Sequence, residues 1–340
     1  MADALRAAFV GFRHMHMFDI HSHVNERENV EIVAVCEEDS QTRDRLAGEG
    51  KIPVSHTNFE DMLGSVDFDL LVVGAVFAAR GALIRAALEA GKHVLSDKPI
   101  CTSLGELAEI QALSDRHHLV VGAALDLRDS GAFRSTRELI QSGAIGTVHT
   151  VSFSGQHPLL PDSRPGWYFE KGNHGGTIND IAIHAVDLLR WITGHGFSEV
   201  LAARSWNAGP AAAHPRFRNA AQLMLVMEGG CGVIGDVSYI SPDGFRYALP
   251  QYWRFNFWGD RGMIESGFNM GRVRLYRSDS DTVEELEPSE DRSGGYLDDL
   301  LEAIGTGSGY PNASLFCATE ICLRAQEAAD RGLFAIPLKD

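Results

Sequence analysis

The sequence predicts an α/β protein, with a doubly wound parallel sheet at the N-terminus and a C-terminal α+β domain built on a large, mainly antiparallel open sheet. Over the first 125 or so residues, short apolar runs alternate with helical patterns, which indicates crossover connections between parallel strands. Later strand-like runs follow one another without long helices, which favours antiparallel pairing. A length of 340 residues allows two buried cores, and we predict domains at 1–125 and 126–340.

The N-terminal elements follow from hydrophobic periodicity. ALRAAFVGF is a strand that ends at Gly11, and the spacing of Met17, Ile20 and Val24 predicts a helix after it. The next elements, in order, are strands in VEIVAVCEE and FDLLVVGAV, a helix and a short strand in ARGALIRAALEAGKHVLSDKPI, a helix in LGELAEIQALSDRHH and a strand in LVVGAAL. Open sheets of this kind bind ligands at the carboxyl ends of their strands.

The C-terminal elements begin with a helix in FRSTRELIQSGAIG, a half-buried strand in TVHTVSFSGQ and an amphipathic helix in INDIAIHAVDLLRWITG. Strand-like runs follow in EVLAARSW, NAAQLMLVME, CGVIGDVSYI, YWRFNFWGD, GMIES and RVRLYRS, and closing helices in GGYLDDLLEAIGTG and LFCATEICLRAQEAADRG. Trp253, Phe255 and Phe257 alternate along one strand. An apolar sheet face of this kind predicts a homo-oligomer, a dimer or a tetramer.

Composition and charge exclude several classes of partner. The formal net charge of −16 disfavours nucleic acid and anionic membrane surfaces. No apolar run approaches the roughly 18 residues of a membrane-spanning helix, and MADALRAAFVGF lacks the longer apolar stretch of a signal peptide. The 5 cysteines are scattered and form no CxxC pair, which argues against a thiolate zinc site and for reduced thiols in the cytoplasm.

The stretch AFVGFRHMHMFDIHSH stands where a phosphate-binding loop would follow the first strand. It keeps Gly11, but Arg13 and His16 stand where the second and third glycines of G-x-G-x-x-G allow close backbone approach and helix packing. We expect a pyrophosphate over the segment Phe12–Met15, with Arg13 or His14 replacing some of the lost amide contacts.

The histidines of the same stretch raise the question of a metal site. His14, His16, His21 and His23 have helix-like spacings, and pairs of them could bind a metal. Because His14 and His16 would point to different faces of a helix, as would His21 and His23, we predict no metal site. We interpret these side chains as solvated or capping residues.

Three carboxylates end the second strand. Glu37 is placed to accept hydrogen bonds from an adenosine ribose, and Glu38 and Asp39 follow it. Together they would repel a ribose 2′-phosphate, so the sequence favours NAD over NADP. A solvated acidic turn is the alternative interpretation.

Two motifs point to chemistry. In SDKPI, Lys98 stands at the carboxyl end of a parallel strand, where it can reach a substrate oxygen, although a surface lysine at a turn would also fit. In GGTINDIAIHAVDLLRW, Asp180 and His184 are four residues apart and are predicted to share one helix face. A carboxylate there can orient an imidazole and stabilise its protonated form, as a general base requires. A surface ion pair is the alternative.

The order and spacing of these motifs resemble the Gfo/Idh/MocA family of oxidoreductases. ALEAGKHVLSDKPI is similar to the family's strand with its Glu-Lys-Pro motif, with Asp97 in the glutamate's place. ELIQSGAIGTVHTV, GGTINDIAIHAVDLLRWITG and YLDDLLEAIGTG resemble its later landmarks, so the likeness spans nearly the whole chain. The chain departs from the pattern at Arg13 and His16, at Ala75-Val76 in place of a threonine-proline pair, and at Arg80 in place of a histidine.

The resemblance implies an N-terminal Rossmann domain that binds NAD(P) and a C-terminal sheet that covers the nicotinamide and often forms the oligomer interface. It also implies oxidation or reduction at a carbon of a sugar, polyol or related carbonyl compound. Lys98 would position the reacting hydroxyl and the nicotinamide ribose, His184 would take the hydroxyl proton, and Asp180 would orient His184. Further cofactor-contact positions are Gly11, Glu37, Ala75 and Asp97.

Substrate contacts are predicted in HPLLPDSRPGWYFEKGNH, between the first C-terminal strand and the helix of Asp180. An aromatic pair beside an arginine suits a sugar ring, including that of a sugar acid. The candidates are His157, Arg164, Trp167, Tyr168 and His174, with Arg128 near the start of the second domain.

The sequence thus predicts an NAD-dependent oxidoreductase and leaves three other functions open. Some relatives oxidise a carbon transiently in order to hydrolyse or eliminate at a glycosidic carbon. A non-catalytic regulator that senses the cofactor is a second possibility, but Lys98, Asp180 and His184 argue against it. A metal-dependent isomerase built on His157, His174, Asp180 and His184 is the third.

Overall fold

In the computed structural model, which describes residues 4–307 and 312–338, the chain divides into two compact units. The first unit comprises the described residues of 1–124, 172–175 and 294–316, and the second comprises those of 125–171, 176–293 and 317–340. The chain first passes from one unit to the other between residues 124 and 125, and the predicted domain bounds of 1–125 and 126–340 stay a prediction. The segment 294–316 is distant in sequence from the rest of the first unit. It belongs to the first unit because Tyr296, Leu297 and Leu300 are part of the hydrophobic core around the N-terminal sheet.

The first unit is built on a parallel sheet with helices between its strands. Its strands are β1 (Leu5–Val10), β2 (Val30–Cys36), β3 (Leu70–Val73), β4 (His93–Ser96) and β5 (Val121–Ala123), in the order β2-β1-β3-β4-β5. The helices between them are α1 (His16–Asn25), α2 (Ser40–Glu49), α3 (Phe59–Ser65), α4 (Phe77–Glu89) and α5 (Leu104–His117). The predicted doubly wound parallel sheet is confirmed. In α1, Met17, Ile20 and Val24 are buried, as their spacing predicted.

The second unit is built on a large open sheet, which confirms the predicted α+β architecture. Its strands are β6 (Val148–Pro158), β7 (Phe197–Trp206), β8 (Ala220–Met227), β9 (Gly232–Ser241), β10 (Arg254–Gly259), β11 (Gly262–Gly267), β12 (Val273–Arg277), β13 (Val283–Leu286) and β14 (Phe334–Pro337). They lie in the order β13-β12-β11-β10-β6-β9-β8-β7-β14, and among these described strands only β6 and β9 pair in parallel.

The remaining helices are α6 (Gly131–Gln141), α7 (Ile183–Thr193), α8 (Gly295–Thr306) and α9 (Asn312–Arg331). Helices α6 and α7 pack on one face of the open sheet, and α8 lies in the first unit. In the part of the chain that the structure describes, no helix combines the length and the apolar character needed to cross a membrane.

The apolar side chains that predicted an oligomer surface are core residues. Trp253, Phe255 and Phe257 do share one strand face, but each is at most 1% exposed. The rings of Phe133, on α6, and Phe153, on β6, pack against Phe255. These three side chains are therefore covered within the chain and cannot form an oligomer contact. The opposite sheet face exposes a different set of large apolar side chains, which includes Met224, Ile234, Trp258 and Tyr276.

Candidate functional site

A cleft of about 580 Å³ lies at the carboxyl ends of β1, β2 and β3 in the first unit. Its lining includes Gly11, Arg13, Glu37 and Ala75, which are among the predicted cofactor contacts. Gly11 has a φ of 82°, and a Cβ at this position would lie 2.6 Å from Ala75 N. Only glycine therefore allows these two strand ends to approach so closely. The cleft occupies the place where open α/β sheets bind their ligands.

Glu37 is fixed in this cleft by two backbone hydrogen bonds. Phe12 N–H donates to Glu37 Oε2 at 2.6 Å, and Asp39 N–H donates to Glu37 Oε1 at 2.9 Å. Burial raises the pKa of Glu37, and the two backbone hydrogen bonds act in the opposite direction. Each carboxylate oxygen keeps a lone pair for a further donor, so the two hydroxyls of a ribose fit this side chain.

The segment Phe12–Met15 uses part of its backbone within the protein. Besides the bond from Phe12 to Glu37, Arg13 N–H donates to Gly74 O at 3.3 Å, and Phe12 O accepts from Arg45 Nη2 at 2.9 Å. The Phe12 side chain lies in the hydrophobic core, which leaves this predicted cofactor residue little to offer a ligand. At the start of α1, Met17 N–H donates to His14 O at 3.2 Å and Phe18 N–H donates to Met15 O at 3.1 Å, so these two amides are also used within the protein.

The histidines of this segment are arranged differently from the prediction. Helix α1 begins at His16, so His14 lies in the turn before the helix, and the argument that the two rings face opposite sides of one helix is wrong. Their ring centroids are 4.3 Å apart. His14 Nδ1 lies 2.7 Å from Asp97 Oδ2, and His16 Nδ1 lies 3.0 Å from Asp97 Oδ1.

His14, His16 and Asp97 have ligand atoms within 4.8 Å of one another, so a metal ion bound by the described residues would find its donors here. Asp97, however, is already paired with Arg80, whose Nη2 donates to Asp97 Oδ2 at 2.7 Å, and both side chains are fully buried. Burial alone would raise the pKa of Asp97, but Arg80 and the two histidines hold it well below its usual range. Burial lowers the pKa of His14 to about 3, even beside Asp97. The charge of Asp97 is thus balanced without an ion, and a site free of metal stays a prediction.

Lys98 stands at the carboxyl end of β4, as the sequence predicts, and is 4% exposed. The peptide between Lys98 and Pro99 is cis. His174 belongs to the same unit, and its ring lies 5.5 Å from that of Phe77, which in turn lies 5.6 Å from the His14 ring. Of the predicted substrate residues, His174 is thus the one that lies in the first unit.

Asp180 and His184 lie on two different kinds of helix in the second unit. Asp180 is in a π-helical turn, Ile178–Ala182, and His184 is in the first turn of α7. The predicted helix therefore contains a π-helical turn at Asp180, and the shared face of Asp180 and His184 stays a prediction. Both side chains are buried. Gly176, with a φ of 98°, leaves room for the side chain of Gln326, whose Oε1 accepts from Ile178 N–H at 3.0 Å and thereby anchors this helix start.

The partners of these two side chains include residues that the sequence did not indicate. The carboxylate of Asp180 accepts a hydrogen bond from the hydroxyl of Tyr239, on β9. His184 Nδ1 lies 3.6 Å from Asp126 Oδ1, and its ring lies 5.7 Å from that of Trp253. Asp126 is distant from His184 in sequence, so no local spacing could have paired them. The carboxylate beside His184 would stabilise the protonated form of its imidazole.

Aromatic rings surround His157 in the same unit. The rings of Tyr239, Tyr247, Tyr252 and Trp253 lie 4.9 to 6.1 Å from the His157 ring. The sequence indicated His157 but missed Tyr247 and Tyr252, which alternating apolar patterns do not single out. Faces of this kind suit the apolar side of a sugar ring.

The predicted substrate arginines both have structural partners. Arg164 stacks on the rings of Tyr168 and Tyr239 at 4.8 and 5.2 Å, and donates to the carbonyl oxygens of Pro158 and Leu159. Arg128 donates through Nε to Asp187 Oδ2 at 2.6 Å and through Nη2 to Oδ1. The pair holds the short helix Asp126–Asp129 to α7, which accounts for the charge of Arg128 without a substrate. Trp167 and Tyr168 are 3% and 1% exposed. Substrate contact by these residues stays a prediction.

Comparison with known proteins places the chain in a class and then in a family. Residues 5–125 match the model of an oxidoreductase family with an NAD-binding Rossmann fold, so the first unit defines the class. Residues 133–265 match the C-terminal domain model of GFO/IDH/MocA proteins. The chain therefore belongs to the Gfo/Idh/MocA oxidoreductase family.

Similar proteins include enzymes named for sugar substrates. A dTDP-3,4-didehydro-2,6-dideoxy-alpha-D-glucose 3-reductase from Saccharopolyspora spinosa is 27% identical over 84% of this chain and 83% of that protein. A 1,5-anhydro-D-fructose reductase from Ensifer adhaerens is 30% identical, but the match covers 51% of this chain and 52% of that protein. An oxidoreductase structure from Thermotoga maritima has a TM-score of 0.85 at 23% identity, covering 98% of this chain and 100% of that chain, which supports the fold.

Proposed function

We propose that the protein is an NAD-dependent dehydrogenase that transfers a hydride between nicotinamide and the hydroxyl or carbonyl carbon of a sugar, polyol or sugar acid. The observation that carries this proposal is the buried His184, beside Asp126 and Trp253, in the same unit as the rings around His157. Relatives named for sugar substrates support the substrate class. The free cysteines support a location in the cytoplasm.

In the oxidation direction, His184 takes the proton of the substrate hydroxyl while the C–H bond breaks and the C=O bond forms. Asp126 stabilises the imidazolium that results, because it lies 3.6 Å from Nδ1. Lys98 donates a hydrogen bond to the reacting oxygen and fixes its position. NAD, when bound, supplies the acceptor for the hydride. Glu37 accepts hydrogen bonds from its ribose in the cleft of the first unit.

The carboxylates in the cleft predict the choice of cofactor. Glu37, Glu38 and Asp39 all line it, and the charge of Arg13 is offset by Asp39, whose Oδ1 lies 3.4 Å from Arg13 Nη1. A 2′-phosphate would therefore meet net negative charge. We expect NAD to bind at least about tenfold more tightly than NADP, or about 1.4 kcal/mol. Calorimetric titration with both cofactors measures this difference, and equal or reversed affinities would contradict it.

A panel of sugars, polyols and sugar acids tests the reaction itself. The expected result is substrate-dependent formation of NADH, followed by its absorbance, with one equivalent of carbonyl product. Product analysis without an added hydride acceptor distinguishes net dehydrogenation from transient oxidation. Cleavage or elimination of the substrate with no net formation of NADH would identify the hydrolase or lyase alternative. NAD binding with no turnover across the panel would favour a cofactor-sensing regulator.

We also propose that the chain forms a dimer or tetramer through the exposed face of its open sheet. Ile234 and Met224 face each other across β9 and β8 and are 53% and 43% exposed, and Trp258 on β10 is 51% exposed. Exposed apolar clusters of this kind mark interaction surfaces. Light scattering at micromolar concentration should give a dimer or tetramer. The double variant Ile234→Asp, Trp258→Glu should be a monomer, and Phe245→Glu, an exposed site off the sheet, should not change the assembly. A wild-type monomer would overturn this proposal.

A further inference from the structure

The guanidinium of Arg80, on α4, is fully buried and binds two loops at once. Its Nε donates to Ala75 O at 2.9 Å, in the segment after β3. Its Nη1 lies 2.9, 2.6 and 3.1 Å from the carbonyl oxygens of Asp97, Lys98 and Pro99, in the turn after β4. Its Nη2 donates to the carboxylate of Asp97. Arg80 therefore holds the turn that carries Lys98.

The turn that carries Lys98 depends on the guanidinium of Arg80 as a hydrogen-bond donor. Three successive carbonyl oxygens converge on one nitrogen, and of these Asp97 O also accepts from Ser96 Oγ at 2.6 Å, so loss of the guanidinium would fall mainly on Lys98 O and Pro99 O. An unsatisfied buried acceptor is costly, and an uncompensated buried carboxylate is more so. The planar guanidinium presents several N–H donors in fixed directions, which the single ammonium of a lysine does not reproduce.

The same guanidinium connects the turn to the cofactor cleft. Ala75, which accepts from Nε, lines that cleft, and Asp97 also contacts His14 and His16 at the start of α1. The ring of Phe77, one turn earlier on α4, lies 4.5 Å from the guanidinium carbon and covers one of its faces. Arg80 thus fixes the turn of Lys98 relative to the wall of the cleft.

We propose that Arg80 is a positioning residue that sets the place of Lys98 against the cofactor and thereby controls turnover. The proposal rests on the proposed function, in which Lys98 contacts the reacting oxygen. A displacement of a reacting group by about 1 Å can lower a rate on the order of a hundredfold, and loss of the converging bonds would allow such a displacement.

The test compares Arg80→Lys with Arg85→Lys. Both changes keep a positive charge on α4, but Arg85 forms an exposed ion pair with Glu109 and serves as the matched control. We expect Arg80→Lys to lower kcat about 10- to 100-fold while KM and NAD affinity change little. Hydrogen exchange of the segment 93–101, measured by mass spectrometry, should accelerate in Arg80→Lys and not in Arg85→Lys. If Arg80→Lys does not fold, Asp97→Asn loosens the same turn and is expected to show the same exchange and kcat pattern.

A double-mutant cycle with Lys98→Ala distinguishes an effect of Arg80 on the position of Lys98 from a general loss of structure in the protein. If Arg80 acts through Lys98, Arg80→Lys adds no further loss of kcat in the Lys98→Ala background. Full multiplication of the two losses, or wild-type kcat in folded Arg80→Lys, would overturn the proposal while leaving the function intact. Wild-type turnover of Lys98→Ala would instead remove Lys98 from the proposed reaction, and the role of Arg80 with it.

Discussion

Replacing His184 by alanine should lower turnover by about 100- to 10,000-fold, the range over which a general base contributes, while NAD binding stays within a few-fold of wild type. The imidazole is the group that receives the hydroxyl proton in the proposed reaction, and alanine offers no acceptor. NAD binding should survive because the cleft with Glu37 and Ala75 is built from the first unit, whereas His184 belongs to the second.

Steady-state rates and NAD titrations on the same preparations check this prediction. His195→Ala is the matched control, since His195 is an exposed histidine just after α7, and it should leave turnover unchanged. A second, milder variant is Asp126→Asn, which keeps the shape but removes the charge 3.6 Å from His184 Nδ1. Near-normal turnover of His184→Ala would show that His184 is not the general base and would overturn this mechanism.

The elements that hydrophobic periodicity predicted are those whose buried faces repeat regularly. α1 buries one face, and β8, β9, β10 and β12 alternate between buried and exposed side chains, whereas β1 was recognisable as a continuous apolar run. α2 has no such repeat, since only Thr42 and Leu46 of its residues are buried, and it was not predicted. Its local signals are at its ends: the carboxylate of Asp39 caps the helix start by accepting from Thr42 N–H, and Gly50 ends the helix with a φ of 65°. β13 and β14 are edge strands with mostly exposed side chains, so alternation could not reveal them.

Candidate site residues could be predicted where they stand at the end of a predicted strand or helix. They could not be predicted where their place in the site depends on a partner far away in the sequence. Lys98 and Glu37 were found because the carboxyl ends of β4 and β2 are visible in the sequence. Tyr239 and Asp126 were missed because they reach Asp180 and His184 from elements far away in the chain.

The two histidines at the start of α1 show how one helix boundary changes an inference. A helix that began before His14 would have separated the rings of His14 and His16. Because it begins at His16, both rings contact Asp97. Similarly, the sequence marked Arg80 only as a departure from the family pattern. Its meaning depends on Asp97, with which it forms a fully buried pair that only the folded chain reveals.

Replacing Lys98 by alanine should lower turnover on the order of 100- to 1,000-fold, as removal of one positioned donor does in other active sites. Unlike His184→Ala, it should also weaken NAD binding, by about tenfold or about 1.4 kcal/mol, because the proposed role of Lys98 includes the nicotinamide ribose. Lys98 is 4% exposed, so alanine leaves a buried gap and removes the charge of the ammonium.

Lys92→Ala is the matched control, because Lys92 lies just before β4 and its Nζ contacts Asp67 and the ring of Phe68 away from the cleft lining. It should leave both turnover and NAD affinity unchanged, and thermal unfolding of both variants excludes loss of the fold as the cause. The two proposed roles of Lys98, in NAD binding and in contact with the reacting oxygen, can be separated with Lys98→Arg. This change keeps the charge but alters the donor geometry. NAD affinity should then recover more than kcat, since a ribose hydrogen bond tolerates a longer reach than the reacting oxygen does. If Lys98→Ala binds NAD as wild type but loses turnover, Lys98 contacts the substrate alone, and the shared role proposed for it is wrong.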